Sequence, residues 1–126
     1  MTPKTSQDLV NETKQGIENL SPAEVQAELA TGVLLMDIRE PEELTQAGKI
    51  AGSIHAPRGL LEFYADPAAP SYKKEFEKGK RIILQCAAGA RSALAVKTLL
   101  QMGYEDVAHL DGGLKAWKEA GLPVEY

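Results

Sequence analysis

The chain has 126 residues, 44% of them apolar, and a formal net charge of −4. That length carries one hydrophobic core but not two comfortable ones, and an acidic chain with no basic run and no interleaved aromatic and basic side chains bears no mark of a nucleic-acid partner. A single cysteine, Cys86, excludes an internal disulfide, and no Cys/His group has metal-ligand spacing, so the sequence predicts no metal, no cofactor and a reducing, cytoplasmic setting.

The opening MTPKTSQDLVNETK carries acids and no apolar centre, which is not the pattern of a secretory signal, and no stretch stays apolar long enough to cross a membrane. Ser6 reads as the cap of a helix from Gln7 to Glu18, with Leu9, Val10, Thr13 and Ile17 along one side. Residues 1–20 are therefore expected to be a helical extension, and 21–126 the domain proper. Ser21-Pro22-Ala23-Glu24 combines a cap, a proline at the first helical position and a capping-box acid, and Gly32 stops the helix that begins there. Val33 to Ile38 reads as a buried strand that delivers Asp37 and Arg39 to the edge where a parallel sheet presents its ligands. Pro41 starts a short helix that Gly48 ends, and Ile50 to His55 reads as a second strand. Arg58 to Tyr64 forms a helical turn, Asp66 to Ser71 a proline-bearing loop, and Tyr72 to Gly79 a solvated segment with some helix. Val107 to Leu110 makes the last strand, and Leu114 to Ala120 a closing helix that buries Trp117. His55 and His109 are read as structural. Strands and helices alternating through short links predict an α/β fold: a parallel sheet of about five short strands with helices on both faces.

The chemistry concentrates in RIILQCAAGARSALAVKTLL, Arg81 to Leu100. Ile82, Ile83 and Leu84 form a short apolar strand, and from Ser92 onward Leu94, Ala95, Thr98 and Leu99 recur at helical spacing. Between them Ala87, Ala88, Gly89 and Ala90 have almost no side chain, so the backbone can curl and aim its N–H groups at whatever Cys86 carries. The start of the following helix and the charge of Arg91 add positive potential, which favours the thiolate, the nucleophilic form. A buried filler would need none of these surroundings, so Cys86 is read as a reactive nucleophile.

Four motifs in order resemble the rhodanese sulfurtransferases over most of the chain: LLMDIREPEEL (Leu34 to Leu44), GKIAGSIHAP (Gly48 to Pro57), CAAGARS (Cys86 to Ser92) and DGGLKAWKEAGLPVE (Asp111 to Glu125). The resemblance implies a rhodanese-like fold and an active-site loop of Ala87, Ala88, Gly89, Ala90, Arg91 and Ser92 around a catalytic Cys86. It also implies that the Cys86 thiolate takes the outer sulfur of a donor such as thiosulfate, holds it as a persulfide and yields it to cyanide or a thiol. Asp37 and Arg39 resemble support residues below the loop. Arg91 either steers the donor anion or holds the loop. Arg58 either binds an anionic donor or pairs with Glu62 four residues on.

Phosphatases of related fold carry five residues between cysteine and arginine, whereas here there are four, a smaller ring that suits a sulfane sulfur better than a phosphate. Ala87 and Ala88 stand where many thiosulfate enzymes have cationic side chains, which leaves glutathione persulfide or a protein persulfide open as donor. The competing readings are a non-catalytic rhodanese-like binding module, which would not need Cys86, and a cysteine-dependent phosphatase or arsenate reductase.

Overall fold

The first three helices start where a capping side chain or a proline stands, in a computed structural model that describes residues 2–126. α1 (Ser6–Lys14) is capped by Thr5, not Ser6: the Thr5 hydroxyl accepts the Asp8 N–H at 3.0 Å and the Asp8 carboxylate accepts the Thr5 N–H at 2.9 Å. The helix also ends earlier than the apolar spacing suggests. Gly16 follows it, and Glu18–Leu20 leaves the helical path to form β1, which buries Leu20 in the core. Residues 18–20 are thus a sheet strand rather than the end of a helical extension.

α2 (Pro22–Leu29) carries the Ser21/Glu24 capping box. β2 (Leu34–Asp37) leads into α3 (Pro41–Ala47), which stops at Gly48 with φ of 81°. β3 is only Ile54–His55, because a turn through Ala51 and Gly52 interrupts the longer strand expected from Ile50. A 3-10 turn, Arg58–Leu60, runs into α4 (Leu61–Tyr64). Residues 72–79 contain no helix. Their charged side chains lie outward, but Phe76 is buried edge-on to Tyr104, with ring centroids 6.2 Å apart, and pins the segment to the core. β4 (Ile82–Gln85), α5 (Ala90–Gln101), β5 (Val107–Leu110) and α6 (Gly113–Glu119) complete the chain.

The five strands form one parallel sheet in the order β1-β5-β4-β2-β3. Alternate strand residues feed two cores. Met36, Ile82 and Leu84 pack with Leu61 of α4 and Ala95, Val96 and Leu99 of α5. Leu35, Ile83 and Ala108 pack on the other face with Val25 of α2 and Leu114 and Trp117 of α6. Full burial of a side chain such as Leu or Ile contributes about 1.5–3 kcal/mol, and two such faces make the sheet a rigid platform. α1 packs on α5 and buries Val10.

At the strand starts, Arg81 binds Glu18 at 2.7 Å, Glu28 at 2.8 Å and Asp106 at 2.8 Å, which ties β1, α2 and the approach to β5 to β4. The Arg81 guanidinium holds the Glu18 and Glu28 carboxyls below the usual range. At the opposite edge the loops after β2, β4 and β5 converge. Among the described residues no helix is long and apolar enough to span a membrane.

Candidate active site

β4 delivers Cys86 to that edge, almost fully buried at 1% exposure. The loop after it is shaped from both ends. Gly89 has φ of 97°, a left-handed conformation suited to glycine, and a Cβ there would meet the Gly112 nitrogen at 2.8 Å. Gly113 lies so close beneath the loop that a Cβ would stand 2.5 Å from the Cys86 carbonyl oxygen. The first N–H groups of α6 use this closeness: Leu114 N–H donates to the Cys86 carbonyl at 2.9 Å and Lys115 N–H to the Ala87 carbonyl at 3.0 Å. With these carbonyls turned toward α6, backbone donors turn toward the sulfur. Gly89 N–H reaches Sγ at 3.1 Å and Ser92 N–H at 3.3 Å. α5 begins at Ala90, two residues before the start expected from the apolar spacing, so its first turn is part of the cradle.

A second set of contacts approaches the sulfur from β5. The Cys86 thiol is 3.5 Å from Ser92 Oγ, which lies 2.8 Å from His109 Nδ1 and 3.3 Å from the Gly89 carbonyl. His109 Nε2 lies 2.8 Å from Asn19 Oδ1. The Asn19 amide donates to the carbonyls of Lys14 at 2.9 Å and Ile17 at 3.1 Å. Burial pushes the His109 imidazole down to about 4, with Asp111 opposing and Lys14 adding to the fall. Sequence reasoning reads His109 as structural and attaches no chemistry to Asn19. The one available signal was a histidine in the otherwise apolar strand Val107-Ala108-His109-Leu110.

The loop's far end is fixed by charge. Arg91 donates to both carboxylate oxygens of Glu43 on α3, at 2.8 and 2.9 Å. The Arg91 guanidinium, together with the Glu40 N–H, holds the Glu43 carboxyl down at about 2. Glu43 had no sequence signal, since its partner lies 48 residues away.

Residues 21–120 match the rhodanese-like domain family. The chain belongs to this family. An Allochromatium vinosum protein named sulfurtransferase is 38% identical over 92 residues, which cover 73% of this chain and 78% of that one. The chloroplastic thiosulfate sulfurtransferase 16 of Arabidopsis thaliana is 32% identical over 117 residues, covering 86% and 97%. A Rhodopseudomonas palustris protein of unknown function, described as a possible tyrosine phosphatase, has a structure that superposes with a TM-score of 0.92. It is 41% identical, with 99% of this chain and 97% of that one covered.

Within the rhodanese-like fold, Asp37 and Arg39 form a buried ion pair, with Nη2 to Oδ2 at 2.7 Å and Nε to Oδ1 at 3.0 Å. The same guanidinium donates to the Gly48 carbonyl at 2.8 Å, so β2 holds the end of α3, and α3 carries the Glu43 that holds Arg91. Arg58 lies apart from this arrangement. It donates to Glu62 at 2.8 Å and to Thr98 at 3.1 Å, two turns along α5 from the loop. Of the two roles open to Arg58, these contacts support the ion pair with Glu62 rather than a donor site. His55 Nε2 donates to the Arg39 carbonyl, 2.6 Å away. A groove of about 360 Å³ borders Ala87 and is lined by Glu43, Gln46, Leu114, Lys115 and Lys118.

Proposed function

We propose that the chain is a sulfurtransferase that carries a sulfane sulfur on Cys86. The observation that carries this reading is a lone buried cysteine whose sulfur accepts two backbone N–H groups, one from the four-residue loop and one from the first turn of α5. The Cys86 thiolate attacks the outer sulfur of the donor, a new S–S bond forms, and the donor's own bond to that sulfur breaks with the electron pair leaving on sulfite or a thiolate. An acceptor thiolate or cyanide then attacks the outer sulfur of the persulfide, and Cys86 leaves as thiolate. The Gly89 and Ser92 N–H groups are in place throughout and need no reorganisation as charge moves onto the sulfur.

Ala87 and Ala88 bring no charge to the donor, but Lys115 and Lys118 beside the groove do. Their positive charge suits anionic donors, among them thiosulfate, glutathione persulfide and a protein persulfide. A reducing compartment would supply thiol acceptors. The Rhodopseudomonas protein's description raises phosphoester hydrolysis as a second reading. Against it stand the short loop and the double engagement of Arg91 by Glu43, which occupies the guanidinium face a phosphate would need.

Incubation with each donor, followed by intact mass, is expected to add the mass of one sulfur atom to Cys86, reversed by a thiol. No addition from any donor, together with turnover of an aryl phosphate, would replace this reading with the phosphatase one.

The Arg91–Glu43 pair yields a second expectation. If Arg91 acts by holding the loop, Glu43→Gln and Arg91→Ala should lower sulfur transfer to a similar degree, about tenfold, and the double variant should lose little more. A loss in Arg91→Ala far beyond that in Glu43→Gln would mean that Arg91 meets the donor directly. The Glu43 carboxyl sits at about 2 in the fold, below its ordinary 4.5, so its contribution is complete above about 4.5 and fades as the pH falls toward 2. Loop anchoring should therefore be constant across any neutral-pH assay in the wild type.

A further inference from the structure

Three strands bring together groups distant in sequence on one side of the sulfur. Asn19 of β1 is the direct cross-strand partner of His109 on β5, and His109 is that of Leu84 on β4, two residues before Cys86. The Asn19 amide nitrogen is committed to two carbonyls, so its Oδ1 is the atom that faces His109 and the imidazole must carry its proton on Nε2. Nδ1 is then an acceptor. The Ser92 hydroxyl proton goes to it at 2.8 Å in preference to the Gly89 carbonyl at 3.3 Å, which leaves Oγ lone pairs facing the Cys86 thiol. One continuous path runs from the thiol through Ser92 and His109 to Asn19.

We propose that His109, held in one tautomer by Asn19, is a positioning residue that takes up the Cys86 proton through Ser92 when the sulfur becomes a nucleophile. The thiol proton passes to Ser92 Oγ while the Ser92 proton passes to His109 Nδ1. The sulfur keeps the bonding pair, Ser92 stays neutral and His109 becomes an imidazolium protonated on both nitrogens. When the acceptor removes the outer sulfur and Cys86 leaves as thiolate, the proton returns by the same path.

The benefit is electrostatic. A lone charge buried at this depth is costly, whereas proton transfer along the path creates a thiolate and an imidazolium together and leaves the site's net charge unchanged. Burial keeps His109 neutral by itself. The other charged groups at its rim, Lys14 and Asp111, are paired with each other at 2.6 Å and largely cancel. The imidazolium is thus favoured only when the thiolate stands beside it.

The inference rests on Cys86 as nucleophile, but its test reads protonation and not sulfur transfer, so either idea can fail alone. Cys86 is the only cysteine, so iodoacetamide alkylation followed by mass reports on one site. Asn19→Asp keeps the acceptor and adds a negative charge behind His109, and it should speed alkylation about tenfold near pH 6 by favouring the imidazolium. Asn19→Leu removes the acceptor and should slow it. Direct repulsion of the thiolate by the introduced carboxylate would act in the opposite sense, so slower or unchanged alkylation in Asn19→Asp overturns the proposal.

Because Asn19→Asp also loses two donors to backbone carbonyls, the wild type provides an independent readout. Nitrogen-15 NMR of the two imidazoles, His55 and His109, should show His109 keeping imidazolium character to a higher pH in the wild type, where the Cys86 thiolate stands beside it, than in Cys86→Ser. Identical His109 titrations in wild type and Cys86→Ser would equally refute the relay.

Discussion

Cys86→Ser is expected to give a folded protein whose sulfur transfer has fallen by roughly 10³-fold or more, which corresponds to at least about 4 kcal/mol of lost transition-state stabilisation. The oxygen is smaller than the sulfur it replaces and remains within reach of the Gly89 and Ser92 N–H groups, so the loop keeps its donors satisfied. The change in stability should stay within about 1 kcal/mol. A serine hydroxyl neither ionises at neutral pH nor holds a sulfane sulfur, so no alternative covalent path opens. Thiosulfate-to-cyanide turnover and a thermal melt on the same preparation separate the two effects. Full turnover by Cys86→Ser would remove the cysteine from the mechanism. Loss of both turnover and the cooperative melt would assign Cys86 to packing.

Several local signals of the sequence anticipate the structure. Ser21 with Glu24, Pro41 with Gly48, and the strand Val107–Leu110 stand where the residues predict them, because caps, stops and short apolar runs act over a few positions. β1 was hidden for the same reason. Glu18-Asn19-Leu20 has no alternation of its own and continues a helical spacing from Leu9 to Ile17. It becomes a strand only because β5 offers it an edge and Leu20 a place in the core. Phe76 was hidden among charges, and only Tyr104, 28 positions on, explains its burial.

The site divides in the same way. The loop Cys86 to Ser92 is contiguous and could be read directly. The groups that position it could not: Glu43 is 48 residues from Arg91, and Asn19 is 90 from His109. What brings them together is the strand order β1-β5-β4-β2, a tertiary fact that hydrophobic periodicity does not encode. The glycines of Asp111-Gly112-Gly113 read as a turn, yet the structure gives them a second task. They let α6 approach closely enough to hold the Cys86 and Ala87 carbonyls.

Arg39→Met should be the most destabilising of the substitutions considered, at about 3–5 kcal/mol, because it removes the partner of a carboxylate that has no access to water. Both Asp37 and Arg39 are fully buried. The guanidinium gives Asp37 two of its hydrogen bonds and gives the Gly48 carbonyl its donor, and methionine replaces none of them. Only the Arg39 backbone N–H, 3.1 Å from Oδ1, would remain for the carboxylate. A fall in Tm on the order of 10–20 °C follows for a domain of this size.

The combined change Asp37→Leu with Arg39→Met removes the stranded charge and should recover a good part of that stability, since much of the single variant's loss is the penalty on Asp37. Sulfur transfer should not recover with it. The end of α3 would still lack its tie to β2, and through Glu43 that tie reaches Arg91 and the loop. A single variant that melts within about 1 kcal/mol of wild type would show that Asp37 finds other solvation. A double variant as active as wild type would break the proposed link from β2 through α3 to the loop and leave the Asp37–Arg39 pair a matter of folding alone.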